Sequence, residues 1–136
     1  MRIMTEERIE AILGFDRMRK IISDRCSTEY ATARTAEENF STDAREIRQR
    51  LLLTDEMRMI VLFEESFPSN GYIDCVRFLE ILSNEGSNID HVSLGKLKTM
   101  LETLRRITLF FSNIKDGIYP NLKKMVSSID LFPEVQ

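Results

Sequence analysis

Apolar residues recur along this chain at three- and four-residue steps, and period-two alternation flanked by hairpin turns is nearly absent. The expectation is therefore an all-α fold, a compact multi-helix bundle. A first short helix is expected from Thr5 to Leu13, with Ile9, Ile12 and Leu13 on one side and Gly14 breaking it. Asp16 is expected to cap the next helix, in which Met18, Ile21 and Ile22 lie one turn apart among Arg17, Arg19, Lys20 and Arg25. Ser27 and Thr28 read as another cap. The segment after them, EYATARTAEENF, is small-faced and suits close packing against a neighbour.

The clearest start signal is STDA at residues 41–44, where Ser41, Thr42 and Asp43 offer oxygens and negative charge to the unpaired N–H groups of a first turn. Ile47 and Leu51 open an apolar stripe. From Leu51 to Phe63 apolar residues spread around almost the whole circumference, interrupted by Thr54, Asp55, Glu56 and Arg58, which predicts a central helix. Pro68, Asn70 and Gly71 form a turn after it. A shorter helix from Asp74 should bury Val76, Leu79 and Leu82 and end at NEGSN.

Residues 89–111, IDHVSLGKLKTMLETLRRITLFF, hold a Gly-Lys pair inside a helical pattern. A phosphate loop would need a glycine where Asp90 stands and a hydroxyl where Leu97 stands, so the segment does not match one and nucleotide binding by it is not expected. Leu94, Leu97, Leu101, Leu104 and Phe111 fall on alternating three- and four-residue steps, with Thr108 at the remaining seam position. Met100, Ile107 and Ile114 make a second stripe beside it. Two adjoining stripes suit a helix packed among several partners better than a two-stranded coiled coil. Asp90 can cap this helix, Asn113 to Gly117 closes it, and Pro120 opens a last one with Leu122, Met125 and Val126 inward. The tail LFPEVQ carries no fold signal.

The 136 residues suit a single domain spanning 1–136. With 30% charged and 43% hydrophobic residues and net charge −3, the composition is that of an ordinary globular chain, which excludes disorder and collagen-like repeats. Cys26 and Cys75 lie far apart without pairing or metal spacing, and read as buried reduced thiols. The N-terminal residues are acidic where a signal peptide needs its apolar run, and no apolar stretch is long enough to span a bilayer, so a cytoplasmic location is expected.

Catalytic chemistry is sparse. His91 is the single histidine, which cannot supply the paired Glu-x-x-His motifs of a di-metal bundle or a Cys/His zinc cluster. A Cys-His nucleophile would need Cys26 or Cys75 beside His91, and no sequence feature supports that. The acidic residues are spaced as solvated helix faces partnered by nearby Arg and Lys. No catalytic, cofactor-binding or metal-ligating residue is nominated. Residues 91–124 hold seven basic side chains against Glu102 and Asp116. The candidate phosphate-contacting patch is Lys96, Lys98, Arg105, Arg106, Lys123 and Lys124. The commoner meaning of such a run is a solvated helix face. The methionines within predicted helices, from Met18 to Met125, read as core filler.

Several strings, taken in order, carry a resemblance: LGFDRMRKII, then CST, then STDAREIRQRLLLTDE, then FP and DCVR, then EGSNIDHVSLGKLKTMLETLRRI. Together they resemble the N-terminal region of the MutS family of DNA mismatch-repair ATPases, in its second bacterial branch, MutS-two. STDAREIRQRLLLTDE, similar to that branch's Ser/Thr-Asp, Glu-Ile, Leu and Thr-x-Glu pattern, is the most specific part. Glu29 and Tyr30 replace the Leu-Gly common after the paired serines, and Phe78 stands where a proline often follows Asp-Ile-Arg.

The resemblance implies an α-helical core and lever region joining an ATPase to DNA-clamping arms. Its parent would be a dimeric enzyme using ATP and Mg on branched or recombining DNA, with Walker motifs and a C-terminal Smr nuclease much further along. That branch is also tied to stalled ribosomes. The expected function is a non-catalytic scaffold segment of such a parent, with DNA engaged through the parent. The rival is a free-standing helical protein–protein interaction module with no DNA role, and an unrecognised small enzyme is a distant third.

Overall fold

The computed structural model describes residues 6–129. These form seven α-helices and no strand, so the all-α expectation holds among the described residues. The chain divides into two compact units, Met1–Ser41 and Thr42–Gln136, a boundary inside the single domain expected from length. Thr5 and the tail LFPEVQ lie outside the described residues.

The first unit holds α1 (Glu6–Leu13), α2 (Phe15–Ser23) and α3 (Glu29–Glu37), with α2 packed on both neighbours. Gly14, not Asp16, is the residue before α2: it adopts φ 73°, and its carbonyl accepts from Met18 N–H at 3.2 Å. Only a glycine takes that left-handed turn without a steric penalty, so α1 ends and α2 begins within one residue. Thr28 caps α3 as expected, its hydroxyl accepting from Ala31 N–H at 3.1 Å.

Among the described residues of this unit, the buried side chain is polar. Arg19 Nη2 donates to Glu10 Oε2 at 2.9 Å and to the Glu38 carbonyl at 2.6 Å, while its Nε donates to the same carbonyl at 3.0 Å. Its guanidinium also lies over the Phe15 ring, 4.8 Å from the centroid. One side chain therefore joins α1, α2 and the end of α3, and Glu10 is buried at 8% exposure. The apolar residues expected inside, Ile12, Leu13, Met18, Ile21 and Ile22, are instead exposed. Three short helices cannot enclose both the Arg19–Glu10 pair and a full apolar stripe, and the pair, with its planar donor fork, has taken the inside.

The second unit holds α4 (Ala44–Phe63), α5 (Val76–Leu82), α6 (His91–Asn113) and α7 (Pro120–Val126). Asp43 caps α4, accepting from Arg45 N–H at 2.8 Å and Glu46 N–H at 3.3 Å. Asp90 caps α6 through Val92 N–H and Ser93 N–H, both at 3.0 Å. The core is Ile60, Phe110, Phe111 and Val126, with Met57, Phe67, Ile107, Ile114, Tyr119, Leu122 and Ile129 packed against it. Phe67, Phe110 and Phe111 meet edge to face, with centroids 5.2 to 6.3 Å apart, the arrangement ring quadrupoles favour.

Helix α4 is not enclosed. Ile60 is fully buried, but Leu51, Leu52, Val61, Leu62 and Phe63 are exposed, because α7 and the loop after Phe63 cover only one side. Val76, Leu79 and Leu82 of α5 are likewise exposed, contrary to expectation; that helix runs for seven residues, too short to build an apolar face of its own. Met125 is exposed, while Leu122 and Val126 turn inward as expected.

Helix α7 is seated by a residue far away in sequence. Pro120 has no N–H, and the next two donors, Asn121 N–H and Leu122 N–H, go to Glu56 of α4 at 3.1 and 2.8 Å; Asn121 Nδ2 adds a third bond at 2.7 Å. Lys123 N–H then closes on the Tyr119 carbonyl at 2.9 Å. Every first-turn donor of α7 is thus satisfied, with a carboxylate at the positive end of the helix.

Candidate functional site

The six candidate basic residues do not converge on one surface. Lys98 and Arg105, seven residues apart on α6, point within about 20° of each other around the helix axis, whereas Lys96 sits about half a turn away. Both members of the pair are exposed. Arg106 lies toward Tyr72, where its charge opposes the upward push that burial gives the phenol. Lys123 is engaged internally: its ammonium donates to the Ile114 carbonyl at 2.8 Å and to Asp116 at 2.7 Å, so it closes the end of α6. Lys124, on α7, is exposed.

Around Lys98 and Arg105 the outward face of α6 is not purely basic. Leu94 and Leu109, 56% and 59% exposed, lie on the same side, with Leu101 half-buried between them. The opposite side of α6 carries the buried Thr103, Phe110 and Phe111. The expected core seam therefore splits: Phe111 is buried, Leu97, Leu101 and Leu104 are half-buried, and Leu94 is exposed. Leu109 belongs to neither stripe predicted from sequence, and that omission was the available signal for a second apolar face.

The interior of α6 carries a polar pin that the apolar pattern did not reveal. Thr103, 1% exposed, donates its hydroxyl to the Gly71 carbonyl at 3.0 Å, with the Thr99 carbonyl also at 3.0 Å. The loop that follows α4 is further closed by Tyr72, whose hydroxyl donates to the Pro68 carbonyl at 2.7 Å. Tyr119 donates to Glu64 Oε1 at 3.1 Å, and partial burial together with that carboxylate raises its phenol above the ordinary range.

Neither cysteine forms a disulfide. Cys75 is buried, and desolvation, reinforced by Asp74, raises its thiol above the ordinary value, which keeps it protonated and poorly nucleophilic. Cys26 is half-buried, its sulfur 3.4 Å from the Ile22 carbonyl, beside a shallow open groove lined by Ser23, Thr28, Thr32, Ala33 and Ala36. No group of three or more His, Cys, Asp or Glu among the described residues is arranged to hold a metal ion. Among them, too, no helix is long and apolar enough to cross a membrane.

No protein-family model, no curated protein and no solved structure matches the chain.

Proposed function

We propose that this chain is a non-catalytic helical scaffold, the core and lever segment of a MutS-two-like DNA-processing ATPase, coupling the nucleotide-driven part of its parent to a DNA clamp. One observation carries the reading: the strings of the resemblance fall at the joints of the fold. Gly14 and Phe15 make the turn between α1 and α2, and Phe15 lies under Arg19. Thr28 of CST caps α3, Asp43 of STD caps α4, and Asp90 of NID caps α6. Phe67 and Pro68 of the FP pair are packed inside. A likeness carried by caps, corners and core aromatics is a likeness of architecture, which is what a scaffold shares with its relatives.

In this reading ATP and Mg belong to the parent, homodimerisation is a property of the parent, and DNA is engaged through it. The long helix α6, hydrogen-bonded along its length, is the rod that would transmit movement. The test is the genomic reading frame beyond the codon for Gln136. Continuation over several hundred codons into Gly-x-x-x-x-Gly-Lys-Ser/Thr is the expected result; a frame that ends without that loop overturns the reading.

A second reading, a free-standing helical protein–protein interaction module, is favoured by the exposed apolar residues of α4 and α6, which a partner protein would cover.

A further inference from the structure

We propose that α7 is an exchangeable strap: it swings out about Gly117 to Tyr119 and seats on α4 and α6 of a second copy of this chain, which returns its own α7 in the same way. The joint is strained. Among the described residues Tyr119 is the one non-glycine residue with a positive φ, at 51°, and Gly117 just before it stands at 88°. A tyrosine in the left-handed region carries a local penalty, whereas a glycine turns either way freely. The turn is closed by Ile118 N–H donating to the Lys115 carbonyl at 3.1 Å.

What holds α7 lies on the far side of that joint. Glu56 accepts from Asn121 N–H, Asn121 Nδ2 and Leu122 N–H at 2.7 to 3.1 Å, and Glu64 accepts from the Tyr119 hydroxyl at 3.1 Å. Leu122 and Val126 pack with Ile60, Phe110 and Phe111. Lys123 reaches back across the joint to the Ile114 carbonyl and to Asp116. The two glutamates are 55 to 66 positions away in sequence from the groups they receive, so the same bonds form whichever copy supplies the helix. An exchanged pair regains these contacts, gives up the turn at Ile118 and frees Tyr119 from its left-handed torsion. Identical seats select an identical occupant, which is the low-cost route to a dimer.

Concentration sets the balance. A short connection holds α7 near its own seat at an effective concentration of about millimolar, so dilute chains stay closed and concentrated ones exchange. None of this depends on a parent ATPase, so its test and the reading-frame test fail independently.

The full chain is followed by light scattering and native mass spectrometry. A dimer is expected on concentrating it to about 1 mM. Deleting Gly117 and Ile118 removes the turn, and should make the dimer dominant at about 0.1 mM; four glycines inserted after Gly117 should keep the chain monomeric there. Tyr119→Gly relieves the closed form and should raise the dimer dissociation constant about tenfold, whereas Tyr119→Phe, which keeps the torsion and loses the hydroxyl in both forms alike, should leave it unchanged. Glu56→Lys spoils the seat and keeps the strap, and Val126→Asp does the reverse. Mixed at about 0.1 mM, these two chains should form a heterodimer in which hydrogen-exchange protection returns to α7 of the Glu56→Lys chain.

A monomeric deletion chain overturns the proposal, as does absence of a dimer from the unaltered chain at about 1 mM. So does a dimer formed equally by Val126→Asp alone, which has no strap to give and must meet its copy elsewhere. The deletion leaves seat and strap residues intact, so its result stands even where a substituted chain misfolds.

Discussion

The two units of this chain stand on opposite foundations. Among the described residues of Met1–Ser41 the best-buried centre is a carboxylate held by a guanidinium; among those of Thr42–Gln136 it is an aliphatic and aromatic cluster. An ion pair with hydrogen bonds holds only when geometry is kept, because its desolvation cost is offset by specific partners. A hydrophobic cluster tolerates imperfection, since burial is non-directional. Replacements should therefore act abruptly in the first unit and in proportion to lost volume in the second.

The largest expected effect is in the second unit. Phe111→Ala removes a 4%-exposed ring from the three-ring cluster, and a loss of about 4 kcal/mol follows from the cavity and transfer terms together. Chemical denaturation followed by signals from the second unit measures it. Next comes Arg19→Met, which leaves Glu10 buried without its partner at a cost of about 3 kcal/mol. Hydrogen exchange should show protection lost in α1 to α3 and retained in α6. Restoring an apolar match with Glu10→Leu in the same chain should recover most of the loss; if it does not, the contrast between the units is wrong.

Glu56→Gln is smaller. The amide keeps one accepting oxygen, so part of the seat of α7 is lost, about 1 to 2 kcal/mol, with exchange rising first in α7. The smallest effect is on pH dependence. Hydrogen bonds from Ser93 and the first-turn N–H groups hold Asp90 below the ordinary carboxylate value, and Lys123 does the same for Asp116. A depressed value in the folded state means that the unfolded chain binds the proton more readily. The associated stability is present above about pH 4 and is lost as pH falls through the folded values. Both groups are at the surface, so a shallow decline in melting temperature below about pH 4 is expected, and Asp90→Asn with Asp116→Asn should flatten it.

Features set by neighbours in sequence were legible from the chain alone. Thr28, Asp43, Asp90 and Pro120 occupy the expected ends of helices because a cap needs only its own next few residues. The long helix was legible for the same reason, although its expected core seam splits, with Leu94 exposed. Glu56 and α7, Arg19 and the Glu38 carbonyl, and Thr103 and Gly71 join residues 19 to 66 positions apart, and no local pattern announces them. Burial was misjudged where apolar residues outnumber the surfaces available to cover them, as at Met18, Ile21, Leu51 and Leu79. The candidate basic residues were legible as a count; their scatter over α6 and α7 depends on helix phase and on the internal use of Lys123.

Position 71 has little freedom to drift. Its backbone holds φ 84°, a torsion that L side chains resist, and a Cβ there would strike the hydroxyl of Thr103. A compensating change at 103 relieves the collision and leaves the torsion untouched. The two constraints must be escaped together, so homologous chains that keep this loop against α6 should retain glycine at 71 even where the residue at 103 has changed.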